Sequence, residues 1–469
     1  MRRWGSVYGT ALVLCILASV CPHSARADSG FSLTPEVAGQ IDDMARAQVH
    51  AGRTPGIAIG VVEAGRIVYA RGFGFADLAH HVPMTPDTEF YAGGLTRQFT
   101  ASALLLLAQD GKLTLDDRVS KYVPEFHNAA AITIAHLLTQ ASGLPPVSRL
   151  GALSSDPTHS LRLNAVFTAL DQIRAPVPTT AYVASPLNYL IASLVVERAS
   201  SVPLSDYLEQ HVFIPLIMDH TFLAGDNGIS PSHAIGYTPA GRDFVPVPPW
   251  DPSWMSGDTG LVTSIYDLAK WDIEMPILLR VDAVRTMFAP SASAGPTYYG
   301  MGWVIDRRGG KDFVWANGEV AGYRAFNALL PEQHVGVIVF SNADSTRGAV
   351  TVPEELGARI LDLIVPPRTS RMDNAIVERA RDWLGRLTTG QIERGELTAN
   401  FSAYLTDDLV ARANFAKLGP LLSIVPLSST TEANGDILYE FLVRFRRGQY
   451  HYDFEVTTEG KIDGLGLTA

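Results

Sequence analysis

The stretch FYAGGLTRQFTASALLLLAQDGKL, residues 90–113, sets the terms for the rest of the chain. From Phe99 to Leu107 it is a run with the length and composition of a buried helix. Its start is unusual. Gly93 and Gly94 stand where the helix begins, and each glycine costs roughly 1 kcal/mol against alanine inside a helix. Arg97 follows one turn later. A glycine pair at such a turn implies a close approach of another backbone, or a position that has lost its side chain.

Outward from this helix the pattern is consistent. Upstream, residues 35–50 carry apolar residues at helical spacing (Val37, Ile41, Met44, Ala45). Two strand-like runs, GIAIGVVEA and RIVYARGFGFA, then meet at Gly65 as a hairpin. Downstream, a Pro- and Gly-punctuated region with several helices extends to about 275. Strands return late, in MGWVIDRR, KDFVWANG, YRAFNALLP and HVGVIVFSNAD. Early and late strands around a helical middle predict one antiparallel sheet closed by both ends of the domain, an α+β arrangement. A boundary is expected near IVPPRTS, residues 364–370, followed by a linker helix. Beyond it ILYEFLVRF, QYHYDFEVT and KIDGLGLT alternate as strands of a small α+β unit. The expected division is 1–27, 28–366, 367–386 (the linker helix) and 387–469.

Composition narrows the function. The 469 residues are 47% hydrophobic and 18% charged, with a net charge of −11. An acidic chain is a poor partner for nucleic acid or anionic lipid. Arg2 and Arg3, the apolar TALVLCILASV and the Ser24–Ala27 small-residue site read as a signal peptide cleaved near Ala27. Periplasmic or secreted localisation is expected. Cleavage removes both cysteines, Cys15 and Cys21, leaving no disulfide or thiol nucleophile. It leaves 34 basic against 48 acidic side chains, a net charge of −14. No later run is long enough to span a membrane. There is no HExxH and no close His/Asp cluster, so neither a metal nor a cofactor is expected. His80–His81, adjacent on extended chain, point apart.

Several stretches in order carry a resemblance to a known family: GKLTLDDRVSKYVPEF, ITIAHLLTQASGLP, NYLIASLVVERASSVPLSDYLEQHVFIPLIM, TGLVTSIYDLAKW, YYGMGWVID and AGYRAFNALLPEQHVGVIVFSNAD. Over residues 35–365 the chain resembles the serine hydrolases of the class C β-lactamase and penicillin-binding-protein type, with their DD-carboxypeptidase and esterase relatives. The resemblance implies a β-lactamase/transpeptidase-like fold, an antiparallel sheet packed with helices plus a helical subdomain. The tail more faintly resembles NTF2-like modules. The family acylates a serine, using Ser-x-x-Lys, Tyr-x-Asn and Lys/His-x-Gly. The lysine helps to deprotonate the serine, the tyrosine moves protons to the leaving group, and backbone N–H groups hold the oxyanion.

At the matching positions this sequence lacks those groups. The family's run close to "iGSvTKqFTA" is AGGLTRQFTA, residues 92–101, placing Gly94 at the nucleophile and Arg97 at the lysine. An arginine does not release its proton near neutral pH. Counting back from NYLIASLVVE places Ala184-Ser185-Pro186 at Tyr-x-Asn, with Tyr182 two residues away as an alternative register. Counting back from Ala321-Gly322-Tyr323 places Ala316-Asn317-Gly318 at the third motif; a shift by one would put the uncharged Asn317 at the basic position. Residues that act as a unit fail together. The expected function is an exported, catalytically impaired relative whose cleft, lined by Arg97, Ser185, Asn317 and Gly318, binds a peptide, a cell-wall fragment, another small molecule or a protein partner. Gly94 is expected to leave a void beside Arg97, which either fills the site with a salt bridge or anchors an anion. One alternative is an active hydrolase with a relocated nucleophile, Ser185 being the best candidate ahead of Thr96, Ser102 and Ser142. Another is a scaffold acting through the tail, motivated by Tyr439, Phe441, Phe445, Tyr450, Tyr452 and Phe454, which otherwise form the tail's own core.

Overall fold

The computed structural model describes residues 33–468 except 151–157, 225–231, 249, 296, 309–310, 345–350, 366–372, 414 and 432–434. The expected signal peptide and the start of the expected linker lie outside the described residues. Among the described residues, no helix is long and apolar enough to cross a membrane.

A nine-stranded antiparallel sheet draws its strands from between residues 56 and 341. Its strands are β1 (Gly56–Glu63), β2 (Arg66–Asp77), β3 (Val82–Pro83), β4 (Ala292–Ala294), β5 (Thr297–Tyr299), β6 (Val304–Arg308), β7 (Lys311–Val320), β8 (Tyr323–Leu330) and β9 (Val335–Ser341). Their spatial order is β3-β2-β1-β9-β8-β7-β6-β5-β4. As expected, early and late strands meet: β1 pairs with β9, Ile57 opposite Ser341 and Glu63 opposite Val335.

Both faces of this sheet are covered, which explains why β1 and β9 are apolar without interruption. Side chains alternate between faces. Ile57, Ile59 and Val61, with Val337 and Val339, pack beneath helices α1 (Pro35–His50) and α6 (Val352–Ile364), through Ile41, Ala45, Leu356 and Ile360. Ala58, Ile338 and Phe340 face the larger core, built around α2 (Thr96–Gln109), α3 (Pro186–Ser200), α4 (Ile265–Leu278) and α5 (Val281–Met287). Trp271 of α4 and Phe99 of α2 are wholly buried there, ring centroids 4.4 Å apart.

The tail has a core of its own. A four-stranded antiparallel sheet, β10 (Leu421–Thr431), β11 (Ile437–Phe445), β12 (Gly448–Val456) and β13 (Ile462–Thr468), packs with α7 (Asn374–Thr389), α8 (Ala399–Tyr404) and α9 (Asp407–Ala413). One expectation needs correcting. The helix read as a linker is α7, and its apolar face of Ala380, Trp383, Leu384 and Leu387 is buried in the tail's core. Phe441, Phe445, Tyr452 and Phe454 lie in that core, with Tyr439 and Tyr450 packed against it. The aromatic stripe is interior packing and not a docking face.

Candidate functional site

The turn into α2 is a 3-10 turn over Gly93–Leu95, all three residues buried. It is tied at both ends. Ala92 N–H donates to the Leu261 carbonyl at 2.8 Å. Thr96 Oγ1 donates to the Gly93 carbonyl at 2.6 Å and accepts from Leu261 N–H at 2.9 Å. Thr96 is therefore a structural hydroxyl, and so is Ser102, which donates to the Gln98 carbonyl.

The glycines exist for close approach. Gly93 adopts φ +54°, a left-handed conformation that glycine takes without strain. A Cβ on Gly93 would lie 2.5 Å from the Glu319 nitrogen, and one on Gly318 would lie 1.9 Å from the Ala92 carbonyl oxygen. A Cβ on Gly94 would lie 2.7 Å from the Asn317 carbonyl oxygen. The turn and strand β7 thus touch backbone to backbone. This counts against the expected void beside Gly94: the sheet's own carbonyl crowds the place where a nucleophile's Cβ would go, with Arg97 atoms 3.7 Å from it.

Arg97 fills the rest of the site. Its Nε donates to Asp258 Oδ1 at 2.8 Å and a terminal nitrogen donates to Oδ2 at 3.2 Å, a bidentate pair with both side chains largely buried. The guanidinium lies over the Tyr189 ring, 5.9 Å from its centroid. Tyr182 and Tyr299 complete the shell, their rings 4.7 Å apart. Burial works against the guanidinium's charge, but Asp258, with Tyr299 and Tyr182, outweighs it and holds the proton more firmly than usual. Burial pushes Tyr299 up to about 12 against the opposing charge of Arg97, and raises Tyr182 likewise. None of these groups is primed to take a proton near neutral pH.

The other predicted residues are spread around this pair. Ala184 and Pro186 are exposed, Pro186 opening α3. Ser185, between them, is buried, and its hydroxyl donates to the Pro145 carbonyl at 2.7 Å. Its N–H donates to Gln140 Oε1, which also takes the Asn188 amide, so Ser185 anchors the start of α3. As a cleft-binding residue or exposed nucleophile it does not fit. Ser142 is likewise held, donating to Asn188 Oδ1. Tyr182, the neighbouring-register phenol, is the one that reaches Arg97.

On β7, alternation separates the third set. Ala316 and Gly318 are buried on the α2 side, whereas the Asn317 side chain is exposed on the other face, donating to Glu354 of α6 at 2.6 Å. Asn317 therefore meets the site only through its carbonyl, and Ala316 occupies the position facing it. Glu319, which adds negative charge in the sequence, is paired with Arg324 at 2.7 Å.

Sequence reasoning missed Asp258 and Tyr299. The available signal was a lone acid in SGDTG, just before TGLVTSIYDLAKW, and the tyrosine pair of YYGMGW. His136 caps its own helix with Thr133, and His80 pairs with Asp77 at 2.6 Å. Among the described residues, Asp436, Glu455 and Asp463 of the tail form the one group of carboxylates close enough to share a cation, and they belong to a different sheet from this site.

Comparison with known proteins fits this architecture. Residues 41–359 match the Beta-lactamase family. Protein flp of Staphylococcus aureus (strain MRSA252) is 29% identical over 330 residues, 67% of this chain and 64% of its own length. The chain thus spans less than two thirds of that relative. Among solved structures, an octameric penicillin-binding protein homologue from Pyrococcus abyssi superposes with a TM-score of 0.62 at 20% identity, over 89% of this chain and 96% of its own. D-amino acid amidase from Ochrobactrum anthropi SV3 gives 0.62 at 22% identity, over 70% of this chain and 99% of its own. Both likenesses concern the fold.

Proposed function

Because the chain belongs to the Beta-lactamase family, we propose that it is an exported, non-catalytic member of it, a pseudoenzyme that keeps the framework and has exchanged the acylation site for a structural ion pair. One observation carries this reading: Gly94 abuts the Asn317 carbonyl while Arg97, at the general-base position, is clamped by Asp258. A serine nucleophile needs a side chain and a base that gives up its proton; neither is here. A relocated centre lacks support, since Thr96, Ser102, Ser142 and Ser185 all donate their hydroxyl protons to neighbouring oxygens of the fold. Arg97 is occupied by Asp258, so a ligand of the remaining cleft has no need of a carboxylate. A peptide segment or an uncharged cell-wall fragment fits that chemistry better than an anion.

The test is intact-mass spectrometry of the purified protein after incubation with a reactive penicillin and, separately, with a fluorophosphonate. No adduct is expected with either. A stoichiometric adduct on one serine sinks the reading, and its peptide identifies the nucleophile. Export is tested by the N-terminal residue of the protein recovered outside the cytoplasm, expected to be Asp28.

A further inference from the structure

A cavity lies away from the Arg97 site, between the α4–α5 pair and the end of the sheet where β8 turns into β9. Its volume is about 310 Å³, within the range of small-molecule sites. Val62, Met275, Val284, Phe288 and Leu329 give it apolar walls. Asp272 of α4 interrupts them with a carboxyl oxygen that lacks a hydrogen-bond partner. Asp272 Oδ1 takes the Asn327 amide at 2.8 Å, but Oδ2 is shut off from solvent with no hydrogen-bond partner. It lies against Gly336, where a Cβ would stand 3.5 Å away. One turn on, Pro276 has no N–H for the Asp272 main-chain carbonyl, the donor a regular helix would place there. Asp272 and Pro276 both line the cavity.

We propose that this cavity binds a small apolar amine, its ammonium held by the carboxyl of Asp272 and its hydrocarbon body packed against Val284 and Phe288. A buried acceptor without a donor is costly, and an alkylammonium supplies both the N–H group and the counter-charge. Two other charged or titratable groups line the cavity, Arg285 from α5 and His334 from the turn before β9. Both are exposed at its rim, where water screens them. Burial pushes Asp272 up to about 8, with the Asn327 hydrogen bond opposing. Below that pH an ammonium must displace a proton; above it the carboxylate is ready. Affinity therefore rises with pH.

Calorimetric titration of the whole protein with n-hexylamine, and with 1-hexanol as its neutral counterpart, tests this. Hexylamine is expected to bind one site, its Kd falling about tenfold per pH unit from 6 to 8 and levelling above. Hexanol is expected to bind more weakly and without pH dependence. Asp272→Asn, which preserves the Asn327 contact, brings the amine to the alcohol's level; Val284→Trp fills the cavity and removes both. Absence of saturable heat with hexylamine, equal affinity for the alcohol, or amine binding untouched by Asp272→Asn would each overturn the proposal.

Discussion

Two residues decide what the α2 turn can do. Gly94 is confined by the Asn317 carbonyl, so any side chain there forces β7 and the turn apart. Gly94→Ala is expected to lower stability by about 1–3 kcal/mol, the usual cost of overpacking, read as a fall in the denaturant midpoint. Gly94→Ser/Arg97→Lys is expected to yield no acyl adduct in the penicillin incubation, because the tyrosine and basic positions remain vacant and the new serine must first displace a strand. Asp258 is the other hinge of the argument. Asp258→Ala leaves a buried guanidinium without its partner, a change expected to cost about 3–5 kcal/mol. Thermal unfolding of Asp258→Ala beside Arg97→Met/Asp258→Leu separates the cases: the double variant should recover part of the loss, since it buries no lone charge. The glycine and arginine were legible from the sequence because they interrupt a familiar run. Asp258 was not, because nothing local ties residue 258 to residue 97; only the fold closes 161 positions of separation.

At the level of elements, periodicity predicted well where one face is buried and poorly where function was inferred from helix position alone. The β1–β2 hairpin, the late strands and the antiparallel closure follow from apolar runs of strand length and turn residues, and they are present. Strand β7 shows how the same alternation arbitrates a motif register: Ala316 faces the site and Asn317 cannot, one residue being enough to reverse the face. The α7 helix reads as a linker because its four buried apolar residues sit among arginines and acids, giving a strongly amphipathic helix that looks exposed when its partner sheet is unknown. Its Trp383 is wholly buried, and the indole N–H donates to Glu396 at 3.1 Å. Trp383→Ala is expected to cost about 3–5 kcal/mol, seen as protease sensitivity within residues 374–468 before the large sheet is cut.

For the molecule as a whole, buried titratable groups give a stability profile whose sign can be worked out. Burial pushes Asp272 up to about 8, so between its ordinary value and 8 the folded protein holds a proton that the unfolded chain releases. Stability then falls as pH rises across that window. Burial also depresses His233 to about 4, so from there to its ordinary value of 6.5 the unfolded chain binds the extra proton and stability rises with pH. The two slopes oppose each other below 6.5, leaving the Asp272 decline exposed from 6.5 to 8. Wild type minus Asp272→Asn, measured by urea unfolding across pH 5–9, should therefore lose stability steadily to pH 8 at up to about 1.4 kcal/mol per unit.

The pairing of β1 with β9 has a consequence for how the chain is made. Ile57, Ile59 and Val61 leave the ribosome early, yet their strand partners on one side are residues 335–341, some 280 positions later. Until those residues are synthesised, an apolar strand at the centre of the future sheet has only the β2 hairpin to shelter it, and closing so long a loop is slow. A chain released before residue 335 has no sheet centre to complete. Folding of the large unit is thus held until almost all of it exists, so a truncated chain exposes an apolar strand with one partner only.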